Sequence, residues 1–155
     1  MQSQLFTALQ HAHSLLRWLM LVVLIYVVAA SIIGWVEKRP YTKGHQKLVF
    51  YTVLIAHVQL IIGFVLYFLG PWAKMLTNLG DVMGDAIMRF FTVEHMIGML
   101  IAIVLLTIGS ARSKKVESDQ SRYKLISLFF GIGLLLILLS IPWPFREAGE
   151  FRGWF

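Results

Sequence analysis

Three histidines, His13, His57 and His95, stand within or beside long apolar runs, and the last follows a carboxylate in Arg89-Phe90-Phe91-Thr92-Val93-Glu94-His95-Met96-Ile97-Gly98. Ionisable groups are costly in hydrocarbon, roughly 2.5–3.5 kcal/mol each on insertion scales, so their presence in apolar spans marks function. Neutral imidazole ligates haem iron and other transition metals, and helix bundles supply such ligands from facing helices. One intramembrane histidine is readily explained as a helix–helix hydrogen bond. Three of them, with Glu94 and Arg17 in the same half of the chain's apolar layer, point to a bound cofactor or metal.

Depth sorts the three. With a helical rise of about 1.5 Å per residue, His95 lies roughly 8 Å below the outer boundary, His13 within about 5 Å of it, and His57 roughly 14 Å from the inner one. In a sequential bundle the first and third helices are diagonal neighbours, so His13 and His95 form the first bis-histidine pair, with His57 and His95 second. Arg17 lies one turn after His13 on the same face, placed to meet a haem propionate or Glu94. Glu94 and His95 are adjacent, so they point about 100° apart and cannot serve one centre. Gly98, with Ala102, shares the face of His95 and leaves room there for a flat macrocycle or for close helix packing. His11 cannot share a face with His13, and Met96 and Met99, although thioethers suit Cu(I), read as packing residues.

The elements that must hold these groups follow from composition. Of 155 residues, 58% are hydrophobic, and the mean hydropathy is +0.74. Four runs, about 15–36, 48–69, 90–111 and 125–141, approach the roughly 20 residues needed to cross a bilayer as a helix. They lack the alternation of a membrane barrel. The fold class is therefore an all-α membrane protein, a single domain forming an up-down bundle of four transmembrane helices.

The sequence pI of about 9.8 is a topology signal, not a nucleic-acid patch. Lys38, Arg39, Lys43 and Lys47 lie in the first loop, and Arg112, Lys114, Lys115, Arg122 and Lys124 in the third. The positive-inside rule puts these loops in the cytoplasm and both termini outside. Without cysteines there is no disulfide, thiolate site or Cys-x-x-Cys-His haem attachment. Arg17, the run to Val28 and then Ala29-Ala30-Ser31 imitate a secretory leader, but no basic cluster precedes them, and the stretch from about Leu5 to Val36 reads as one retained helix. Pro71–Met88 should form short interfacial helices or irregular loop, with Asp85 capping the third span. His45 reads as a solvated loop residue. Ile141-Pro142-Trp143-Pro144-Phe145 must end the fourth helix, and the aromatic tail Phe151, Trp154 and Phe155 should lie on the outer surface.

The runs His11-Ala12-His13-Ser14-Leu15-Leu16-Arg17-Trp18, His57-Val58-Gln59-Leu60-Ile61-Ile62-Gly63, Arg89 to His95, and Ile141 to Phe145 span nearly the whole chain. In them it resembles the small four-helix membrane proteins of Bacteroidota-type bacteria commonly labelled "cytochrome b". The resemblance implies a b-type haem, with His13, His57 and His95 as the matching histidines. No two histidines lie thirteen or fourteen apart on one helix, as they do in the large respiratory cytochrome b, so the two-haem path of that family is not expected.

The resulting expectation is one haem b in the outer half of the bundle, bound through His13, His95 or His57 with Arg17 beside it and Glu94 and Gly98 supporting. Electrons would pass to or from a quinone or a larger respiratory complex; oligomerisation is compatible with this, nucleic acid is not. Two rivals come from other classes. One is a non-haem metal site of His13, His57 and His95 near Glu94; the other is a structural or assembly subunit whose polar residues only join helices.

Overall fold

A backbone in hydrocarbon must satisfy its own polar groups, so the apolar runs fold as helices. In the computed structural model, which describes residues 2–149, four helices are long and apolar enough to cross a membrane. They are α1 (Gln2–Val36), α2 (Lys43–Leu69), α3 (Ala86–Ser113) and α4 (Asp119–Ser140). The protein is thus an all-α, multi-pass membrane protein. Each helix outruns its apolar stretch. α1 has 35 residues, about 50 Å at the helical rise, so His13 lies well inside a regular helix. The expected aromatic tail lies outside the described residues.

Local signals set the boundaries. Thr42 caps α2, its Oγ1 accepting the amide of His45 at 3.1 Å, and Gly70-Pro71 ends it. Asp85 caps α3 as expected, accepting from the Met88 amide at 2.7 Å, and Ser118 caps α4. The segment between α2 and α3 is a chain of short helical pieces, Trp72–Met75, Leu76–Asn78 and Leu79–Gly84.

Consecutive helices pack side by side and α4 closes the ring against α1, which makes α1 and α3 diagonal. The start of α1, the end of α2, the start of α3 and the end of α4 meet at one end, here the termini end; the lysine-rich connections form the other, the basic end. Met20, Leu24 and Val27 of α1, Ala102 and Leu106 of α3, and Ile126, Phe130 and Ile137 of α4 make the core. Leu15, Val22 and Ile61 are more than 60% exposed, an outward apolar surface that suits lipid and not water.

Small residues set the tightest crossings. A Cβ at Gly109 would strike Phe129 on α4, and one at Gly133 would strike Leu106 on α3. At the basic end, Gly34 receives the ring of Tyr123, whose hydroxyl donates to the Pro40 carbonyl at 3.1 Å. His45 is not a solvated loop residue: it lies in the first turn of α2, with Nε2 2.9 Å from Ser31 Oγ and its ring against Tyr41 and Tyr123. A Cβ at Gly34 would lie 2.5 Å from Tyr123 Cζ. Gly34→Ala should therefore cost about 1–3 kcal/mol through overpacking, read as a fall of several degrees in the thermal midpoint in detergent, with Ala30→Gly, on the same helix, much smaller.

Candidate functional site

The fourth helix ends where its sequence removes its donors. In an α-helix the carbonyl of residue i accepts the amide of residue i+4. Leu138 and Ser140 would look to residues 142 and 144, both prolines without an N–H. Leu139 would look to Trp143, whose amide instead bonds the Ile141 carbonyl at 2.9 Å. Side chains replace all three. Trp143 Nε1 donates to Leu138 O at 2.8 Å, Arg146 Nη1 to Leu139 O at 2.6 Å, and His95 Nδ1 to Ser140 O at 2.7 Å.

The last bond decides the chemistry of His95. A carbonyl only accepts, so Nδ1 carries the proton and the neutral ring keeps its lone pair on Nε2. This is the arrangement of metal-ligating histidines, in which a backbone carbonyl on the far nitrogen fixes orientation and raises basicity. Gly98, three residues on along the same face, permits it: a Cβ there would collide with Ser140 Oγ. Gly98 thus brings the end of α4 onto α3, the close helix packing that was one of the two roles expected of it.

One feature here had no signal in the sequence. Phe90–Glu94 forms a π turn, in which the His95 amide reaches back five residues to Phe90 O. Such single wide turns recur at functional sites. The Tyr67 hydroxyl from α2 donates to the Thr92 carbonyl inside it at 2.9 Å, and Trp72 stacks on Phe91 with centroids 4.9 Å apart. A wide turn aligns residues five apart, and Arg89 Nε accordingly meets Glu94 Oε1 at 2.7 Å. The expected Glu94–Arg17 pairing is therefore corrected: Glu94 is answered by Arg89 on its own helix. Glu94 is about half exposed and faces away from the site that His95 lines.

That site is a cleft at the termini end, lined by His13, Arg17, Gln59, Tyr67, Trp72, Phe91 and His95 among others. The cavity measures about 170 Å³ and is open to one side. His13 is seated from α2: Gln59 Nε2 donates to its carbonyl at 3.0 Å, and a Cβ at Gly63 would lie 3.2 Å from His13 Cε1. Gln59 Oε1 is buried without a hydrogen-bond partner among the described residues. The Arg17 guanidinium lies 5.1 Å from the centre of the Trp18 ring, and Trp18 meets Trp143 edge-on.

The structure thus brings His13, Arg17 and His95 to one cleft and leaves His57 out. His57 Nδ1 bonds Val53 O of its own helix at 2.8 Å, and the ring does not line the cleft. His57 is accordingly not the partner of His95 across this space. Among the described residues no three His, Asp or Glu side chains are grouped as a metal site would require, which removes the basis for a centre of His13, His57 and His95. Met96 and Met99 border the cleft, and His11 is exposed.

Gly98→Ala should push Ser140 from α3, lengthening the His95 bond. Nitrogen chemical shifts of His95 should then move from a pure Nδ1–H tautomer to a mixture, and unchanged shifts would show that the glycine does not govern this contact. No family model, curated protein or solved structure matches this chain, so its assignment rests on the geometry of the cleft.

Proposed function

We propose that this is a b-type haem-binding protein of electron transfer that holds one haem between α1 and α3 through His13 and His95. The observation that carries the reading is that two imidazoles from diagonal helices, with Arg17, line one cleft. The resemblance places it in a bacterial inner membrane, where positive-inside asymmetry would put both termini in the periplasm. A quinone or a larger respiratory complex is its electron partner.

The residues fit the group. The donor set is two imidazoles and one cation. Gly63 supplies the notch for one ring, and the buried Gln59 Oε1 offers an acceptor. At about 170 Å³ the cavity is below the roughly 300 Å³ at which small-molecule pockets begin, so its lining would have to open to admit a macrocycle.

Haem bound here supplies one-electron chemistry at a potential set by its axial ligands and surroundings. The chain's own residues do the rest. The Ser140 carbonyl holds the His95 tautomer, which would raise the basicity of Nε2 towards a bound metal. Arg17 puts a positive charge on the wall of the cleft. Trp72 and Phe91, stacked on each other, give the cleft an aromatic wall.

One observation favours a second reading, a structural or assembly subunit: the His95–Ser140 bond also works as a plain tie between α3 and α4. Spectra separate the two. Full-length protein purified with haem supplied should show a reduced-minus-oxidised b-type spectrum. His95→Ala and His13→Ala should each lose at least about tenfold in haem content, and His57→Ala should keep it. A folded, colourless wild-type preparation sinks the haem reading, and retention in His13→Ala assigns the second ligand elsewhere.

A further inference from the structure

At the opposite end of the bundle, the first turns of α2 and the last turn of α3 enclose two adjoining hollows, of about 160 Å³ and 340 Å³. They share Gln46 and Lys114. Lys43 and Lys47 line the larger, and Arg122 the smaller. No Asp or Glu lines either. Among the described residues the ion pairs are Arg39–Glu37 and Arg89–Glu94, so the four cations converge without a carboxylate. Lys43, Lys47 and Lys114 are exposed and Arg122 is partly buried; like charges gathered this way repel one another, and an anion between them relieves that.

Arg122 is held in place rather than waving in solvent. Its Nε donates to Val116 O at 3.0 Å, and its guanidinium lies 5.6 Å from the centre of the Tyr41 ring. Burial, with Tyr123 alongside, pushes the Tyr41 phenol up to about 12 despite Arg122, so at neutral pH it is a hydroxyl and adds no negative charge.

The surface beyond the larger hollow says what kind of anion belongs there. Phe50 and Tyr51, both at least half exposed, border it. From Phe50 a stripe of exposed apolar side chains continues along α2 through Leu54, Val58, Ile61 and Val65, at spacings of three and four that keep them on one helix face. A cationic hollow at the interface that leads into an apolar stripe along the span matches an amphiphile with an anionic head and a long hydrocarbon tail. Basic pockets between membrane helices bind such headgroups.

We propose that the hollow formed by Lys43, Lys47 and Lys114 at the basic end is a binding site for an anionic phospholipid. Its phosphodiester is held between α2 and α3, and its acyl chain lies along the Phe50–Val65 face. The site is separate from the histidine cleft and stands whether or not haem is bound there.

The test compares full-length protein titrated with phosphatidylglycerol and with phosphatidylcholine in detergent, followed by native mass spectrometry and thermal unfolding. Wild type should bind phosphatidylglycerol selectively and gain thermal stability from it. Combined Lys43→Gln, Lys47→Gln and Lys114→Gln should lower that affinity about a hundredfold, given what each basic residue contributes near an anionic headgroup. Lys115→Gln, next in sequence but not in the hollow, should leave it unchanged. If the triple variant elutes as misfolded, single Lys114→Glu serves in its place. Undiminished phosphatidylglycerol selectivity in the folded variant overturns the site, and equal stabilisation by inorganic phosphate overturns its assignment to lipid.

Discussion

A carbonyl that loses its helical donor inside hydrocarbon has no water to turn to, and this constraint organises the termini end of the molecule. Pro142 and Pro144 strip the last turn of α4 of its amides. The chain answers with an indole, a guanidinium and an imidazole. The π turn repeats the pattern on α3, where the Thr92 carbonyl receives the Tyr67 hydroxyl. Polar side chains that in water would be free to solvate are thereby committed to fixed positions. The cleft lies among them, and its geometry is in large part a by-product of satisfying backbone.

His95 shows how structure and chemistry merge under that constraint. The bond that completes α4 also settles which nitrogen of the ring carries the proton. Gly98 is needed because the two helices must approach closely enough for it. The structural tie and the proposed ligand's orienting bond would therefore be the same contact. Its presence alone does not choose between them; the gathering of His13 and Arg17 around the same space favours a ligand.

What was legible in the sequence was whatever depends on composition and local rules. The four spans, the Asp85 cap, the breakers at Gly70-Pro71 and Pro142, and the divergence of Glu94 from His95 all follow from hydropathy and helical angle. Depth and diagonal placement ranked His13 ahead of His57 opposite His95 without deciding between them; the cleft is lined by His13 and His95 and not by His57. The partner of Glu94 was misassigned because a regular helix was assumed, and only the wide turn sets Arg89 beside it. His45 looked solvated because its neighbours in sequence are lysines, whereas its neighbours in space are Ser31, Tyr41 and Tyr123. Gly98 and Gly63 were both visible as small residues, but which neighbour each one admits is a tertiary fact.

The π turn has a further consequence, for register. One additional residue in a helical turn is a phase slip: side chains before Phe90 are rotated by about 100° relative to the pattern that holds after His95. Hydropathy traced through α3 as a single wave would therefore put Ala86–Arg89 on the wrong face, even with every residue of His95–Ser113 correctly placed. Removing one residue from Phe90–Glu94 would restore a continuous wave and, in the same stroke, swing the start of the helix out of alignment with Tyr67 and Trp72. The irregularity works as a splice between two helical phases, one keyed to the interface and the other to the core.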